Sequence, residues 1–156
     1  GRSSRCLHES PAHGRVRGMK PSVILDAGPL VAFINARDMH HAWTVEQLKK
    51  VAGPMVTCES VLSEAVFLLR HVAGGAQKVA GLLKSEGLKV AFDLRAETTP
   101  VCDLLSKYAD VPMSLADACL VRMSELFPRH CVMTLDSDFH HYRRNRRQSI
   151  PLVSPQ

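Results

Sequence analysis

The chain reads as one α/β domain with a parallel sheet of about five strands, covered by helices on both faces. Three observations predict this. Short apolar strands alternate with helical segments over nearly the whole length, the 156 residues suit a single domain, and 46% hydrophobic content is ample for one packed core.

The elements follow in order. Ser22 to Leu25 is a short buried strand, and Gly28-Pro29 then opens a helix to about Asn35, with proline in its first turn. HHAWTVEQLKKVAG has helical spacing, with Trp43, Val45, Leu48 and Val51 apolar and Lys49-Lys50 near the C-terminal end. Met55 to Thr57 is a second strand. Thr57 is placed to cap a helix to about His71. GGAQKVAGLLKSEG is another helix, with Val79, Leu82 and Leu83 on one side, and Leu88 to Phe92 alternates as a third strand. A helix over Glu97 to Tyr108 precedes one that starts near Ser114, where Asp117 stands in capping-box register. His130 to Leu135 is the fourth strand. Ser149 to Val153 is the fifth, at an edge because of Pro151. No internal repeat or low-complexity tract interrupts this order.

Residues 1–18 are polar and Arg-rich, and Met19 directly precedes the first core segment. They read as a disordered or upstream extension, leaving residues 19–156 as the domain. The tail cannot supply the apolar region of a secretory signal. No stretch approaches the roughly 20 apolar residues of a membrane-spanning helix. The five cysteines, Cys6, Cys58, Cys102, Cys119 and Cys131, are scattered singly, as in a cytoplasmic protein under reducing conditions.

The formal charge of +5 favours anionic partners without identifying one. Arg2, Arg5, Arg15 and Arg17 against Glu9 supply much of it. The remaining cluster is Arg143, Arg144, Arg146 and Arg147 around Asn145, which is either a solvated loop or a set of phosphate contacts.

Four acids stand in apolar surroundings: Asp26 after Val23-Ile24-Leu25, Glu64 in VLSEAVFLL, Asp117 in SLADACLVRM, and Asp136 after the fourth strand. A carboxylate removed from water costs several kcal/mol unless it is paired or bound to a cation. Asp26 and Asp136 follow strands, so they lie at one edge of the sheet if those strands are neighbours, and ligands bind at such edges in open α/β folds. Glu59, in the first turn of the same helix as Glu64, needs no more explanation than the helix dipole. Glu64 lies two turns in, where the alternative is an exposed helix face. Asp117 is explicable as a cap, although capping and metal ligation are compatible. Asp138 is either a further ligand or a turn cap, and Thr134 and Ser114 stand beside the acids as supporting groups.

Carboxylate-only clusters are hard-oxygen sites, suited to Mg²⁺ or Mn²⁺ over Zn²⁺. Such sites serve phosphodiester hydrolysis. Competing chemistries lack their residues: His40-His41 and His140-His141 are adjacent pairs that do not face one site, and the chain holds no H-E-x-x-H, phosphate-binding G-x-x-x-x-G-K-[ST] or G-x-S-x-G motif. A receiver-like phosphoryl-transfer domain would need a Lys at the end of a late strand, where Thr134-Leu135-Asp136 stands instead.

The segments VILDAGPLVAFIN, TCESVLSEAVFLL, PMSLADACLVRMSE and VMTLDSDFHHYR together resemble a PIN domain, more narrowly a VapC-type toxin ribonuclease of toxin–antitoxin pairs. Their order spans essentially all of Ser22 to Val153. The resemblance implies a three-layer α/β/α sandwich, Mg²⁺ or Mn²⁺ dependence and endoribonuclease activity, with the four family acids falling on Asp26, Glu64, Asp117 and Asp136. It also implies a homodimer and inhibition by a cognate antitoxin protein. Relatives often carry another acid three residues before the third one, where this chain has Ser114, so a second ion is expected to bind weakly. The alternative is a PIN-like module with little activity that acts on RNA by occupancy.

Overall fold

In a computed structural model of the protein, residues 20–155 are described; the proposed extension, residues 1–18, lies outside them. Five strands form one parallel sheet in the order β3-β2-β1-β4-β7. They are β1 (Val23–Leu25), β2 (Met55–Thr57), β3 (Leu88–Val90), β4 (Cys131–Met133) and β7 (Leu152–Val153). The central pair β1 and β4 is apolar at every position and fully buried, as parallel strands covered on both faces should be. β7 is the edge strand, preceded by Pro151 as the sequence predicts.

Among the described residues six α-helices connect and cover the sheet: α1 (Ala27–Ile34), α2 (His41–Leu48), α3 (Glu59–Leu68), α4 (Gly75–Lys84), α5 (Thr98–Lys107) and α6 (Leu115–Leu126). The order explains their layers. Crossovers from β1 to β2 and on to β3 run in one direction, whereas the return from β3 to β4 runs in the other. Right-handed connections therefore put α1 to α4 on one face and α5 with α6 on the opposite one. Contacts agree: α1 packs on α2, α3 and α4, while α5 packs on α6, which lies against β1 and β4. The result is the three-layer α/β/α sandwich.

Three local expectations differ. Thr57 does not cap α3: Cys58 occupies that position without a side-chain cap bond, and the Thr57 hydroxyl donates instead to the Leu25 carbonyl at 2.9 Å, tying the ends of β2 and β1 together. Glu64 is exposed, because only Val61 and Ala65 of α3 are buried and the helix turns a wide face outward. The arginine cluster is not a plain loop. It forms an antiparallel hairpin of β5 (Arg143–Arg144) and β6 (Gln148–Ser149), with Asn145 and Arg146 at positive φ in its turn.

Glycines at α4 give a test of this packing. A Cβ on Gly75 would lie 2.9 Å from Leu69 Cβ and 3.0 Å from its carbonyl oxygen, whereas one on Gly81 would meet nothing within 4 Å. Gly75→Ala should destabilise the fold by about 1–3 kcal/mol. Gly81→Ala should stabilise it by about 0.5–1 kcal/mol through lower chain entropy, both read from urea unfolding midpoints.

Candidate active site

The carboxyl ends of β1 and β4 form the floor of the site. Asp26 directly follows β1, and its amide still donates to Met133 of β4 at 3.0 Å, so the residue is fixed by the strand pair itself. Its side chain caps α1: Oδ1 accepts from the Ala27 amide at 2.7 Å, and Oδ2 accepts from the Thr134 hydroxyl, also at 2.7 Å. Thr134 is fully buried and its oxygen also accepts from the Asp136 amide at 3.0 Å. One hydroxyl thus links the first acid to the backbone of the fourth.

Asp136 stands three residues beyond β4, not at the strand's last position, and caps a 3-10 turn over Ser137–His140. Its Oδ1 accepts from the Asp138 amide at 2.9 Å. Asp138, half-buried, is the next acid along this turn. Asp117 lies in the first turn of α6 and completes a capping box: its amide donates to Ser114 Oγ at 3.0 Å while its Oδ2 accepts from the Ser114 amide at 3.1 Å. The Ser114 side chain also hydrogen-bonds Glu64, so a neutral hydroxyl bridges the second and third acids.

Electrostatics join the four into one group. Burial pushes the Asp26 carboxyl up to about 6, against the lowering effect of its two hydrogen bonds, and the charges of Asp117 and Glu64 push in the same direction. Asp117 is raised by burial and by Asp136, and Glu64 by burial and by Asp117. No Lys or Arg forms an ion pair with any of them among the described residues. Arg122, the cation within the α6 segment, faces Glu97 at 2.6 Å and Glu125 at 3.2 Å instead.

The donor set is all oxygen and anionic, which fits a hard divalent cation. Asp26, Asp117 and Asp136 are engaged locally as caps, and among the described residues no three acidic, histidine or cysteine side chains stand in ion-enclosing geometry. The fit is one of chemistry and charge, with side chains that must turn to complete it.

The arginines divide into two pairs. Arg143 donates to the His140 and Tyr142 carbonyls at 2.8 and 2.9 Å, and Arg144 to the Ser124 and Pro128 carbonyls at 2.9 and 3.4 Å. Their guanidinium groups brace the hairpin against the turn and the C-terminal end of α6. Arg146 and Arg147 are exposed. Tyr142 escaped the sequence reading. It is fully buried and its hydroxyl donates to Asp117 Oδ2 at 3.3 Å; the only signal was an aromatic ring inside an otherwise polar run.

No protein-family model matches the chain. A curated relative, Ribonuclease VapC26 of Mycobacterium tuberculosis, is 26% identical over 116 residues, covering 73% of this chain and 86% of the relative. Among solved structures, that of Mycobacterium tuberculosis VapC20, described as a Sarcin-Ricin loop cleaving toxin, superposes with a TM-score of 0.66 at 20% identity, covering 75% of this chain and 92% of the other. The sheet order and the structural likeness give the chain the three-layer fold of that VapC protein. In sequence it is similar to a VapC ribonuclease.

The raised Asp26 makes a thermodynamic prediction. A carboxyl whose folded value lies near 6 contributes stability that is fully present below its unfolded value of 3.8 and is lost as pH rises through about 6. Ionised at neutral pH without a cation, Asp26 opposes folding by roughly 3 kcal/mol. Urea unfolding of the metal-free protein should show Asp26→Asn more stable than wild type by about 1–3 kcal/mol at pH 7, with the difference shrinking toward pH 4.

Proposed function

We propose that the protein is a Mg²⁺- or Mn²⁺-dependent endoribonuclease that hydrolyses phosphodiester bonds in RNA, as the toxin of a toxin–antitoxin pair. The observation that carries this is a group of mutually repelling carboxylates at the sheet's carboxyl edge with no basic side chain paired to it among the described residues. Asp26, Glu64, Asp117 and Asp136 are the residues that would hold the ion, with Asp138 adjacent on the same turn. When bound, the ion supplies Lewis-acid stabilisation of the leaving oxygen and acidifies the attacking water. Thr134 orients Asp26 by donating to Oδ2, and Ser114 spaces Glu64 from Asp117. The names of the two relatives, a ribonuclease and a Sarcin-Ricin loop cleaving toxin, support the substrate class.

Val66, Phe67 and Leu68 are exposed apolar side chains just beyond Glu64, which supports a protein partner on that face, either an antitoxin or a second copy in a homodimer. No helix of the described residues is long and apolar enough to cross a membrane, and a cytoplasmic location goes with an RNA substrate. A second reading, an RNA-binding module acting by occupancy, draws on one feature: Ser114 places a neutral hydroxyl between two acids, lowering the charge available for a second ion.

Incubation of a total RNA pool with wild type and Mg²⁺ should yield new 5′ or 3′ ends that vanish with chelator. Asp26→Asn and Asp117→Asn should each lower the rate at least about 100-fold; equal cleavage by either variant would remove that residue from the site, and chelator-resistant RNA binding without any product would favour occupancy. The basic hairpin gives a separate outcome. Arg146→Ala with Arg147→Ala should lower the salt dependence of RNA binding by about two in log–log slope, whereas Arg144→Ala should act mainly on stability.

A further inference from the structure

Tyr142 lies outside the acidic group in sequence and in chemistry, yet its buried hydroxyl reaches Asp117. Its ring is fully buried and packs edge-on between Phe139, with ring centroids 5.2 Å apart, and Tyr108, at 5.1 Å. Tyr108 is held in turn, because its hydroxyl accepts the Arg143 amide at 2.9 Å. Two aromatic contacts and the start of β5 thus fix the direction in which the Tyr142 hydroxyl points, and that direction is toward Asp117 Oδ2.

Asp117 Oδ2 already accepts from the Ser114 amide, so the phenol is its second donor. Both of these donors converge on Oδ2, and the Ser114 hydroxyl lies against the same carboxyl group. We infer that Tyr142 is a positioning residue for metal binding, holding Asp117 by Oδ2 so that Oδ1 is presented to a divalent cation as a single, directed ligand. The inference rests on the acids being a divalent-metal site, as proposed above. A phenol is a proton donor at neutral pH, which suits it to this contact. Supporting donors of this kind fix a ligand's orientation, and their loss commonly costs on the order of 10-fold or more in metal affinity.

Mn²⁺ titration followed by electron paramagnetic resonance, on wild type, Tyr142→Phe and Tyr108→Phe, tests this without reference to cleavage. Phe at 142 keeps the ring packing and removes the donor; Phe at 108 removes a hydroxyl from the same aromatic cluster that touches no acid. Tyr142→Phe should bind Mn²⁺ about 10-fold more weakly than wild type, with Tyr108→Phe near wild type. Unchanged affinity in Tyr142→Phe, or equal weakening in both variants, overturns the inference. A readout on wild type guards against a variant that fails to fold. The chain has two tyrosines, so with ¹³C-labelled tyrosine the Tyr142 ring-carbon resonance should shift on adding Mg²⁺ well beyond that of Tyr108, and equal or absent shifts count against it. Wild type that binds no Mn²⁺ defeats the metal reading and this inference together, whereas wild-type binding with Tyr142→Phe unaffected defeats this inference alone.

Discussion

A single buried carboxylate, Asp26, constrains the architecture around it. It sits where the two central strands end, with its amide still in the β1–β4 ladder and both side-chain oxygens accepting short hydrogen bonds. Those bonds do not offset the loss of hydration, since the carboxyl remains well above its ordinary range. A position that served only the fold would be better filled by Asn or Ser, both good helix caps without a charge to bury. Retaining the charge there makes the metal-free state less stable, a term that a bound cation would reverse.

The remaining acids reach Asp26 from different parts of the chain, and the topology is what assembles them. β1 and β4 are neighbours only because the chain crosses to β2 and β3 on one side and returns over the other face. That return brings α6 in by its N-terminus, where Asp117 is both cap and member of the acidic group. α3 contributes Glu64 from its outward face, which explains why this acid is exposed while Asp26 and Asp117 are buried. Glu64 is approached by the Ser114 hydroxyl, Asp26 is held by Ala27 and Thr134, and Asp117 is held between Ser114 and Tyr142.

Much of this was legible in the sequence because it depends on local pattern. Apolar runs of three or four residues gave β1 and β4, and the Ser114–Asp117 spacing gave the capping box, since each is decided by neighbours in the chain. The misreadings share a cause of another kind. Thr57 has the chemistry of a cap, but the close approach of β1 offered its hydroxyl the Leu25 carbonyl. Arg143 and Arg144 left open a solvated loop or a set of phosphate contacts, and the carbonyls that engage them, from the preceding turn and the end of α6, come from tertiary packing. Tyr142 donates across 25 residues to Asp117, and such a pairing leaves no periodic trace. Glu64 among Val61, Leu62, Val66 and Phe67 suggested burial, but α3 leaves Val66 and Phe67 exposed as well.

The proposed joint action of four carboxylates, from the end of β1, α3, α6 and the turn after β4, on one divalent ion is tested by anomalous diffraction from crystals of the protein soaked in Mn²⁺. The expected result is a peak at the carboxyl edge of the sheet, with Asp117 ligating through Oδ1 and Asp26, Glu64 and Asp136 within ligand distance directly or through water. A peak at another site with these four side chains unmoved, or no peak at Mn²⁺ concentrations that support RNA cleavage, would contradict it.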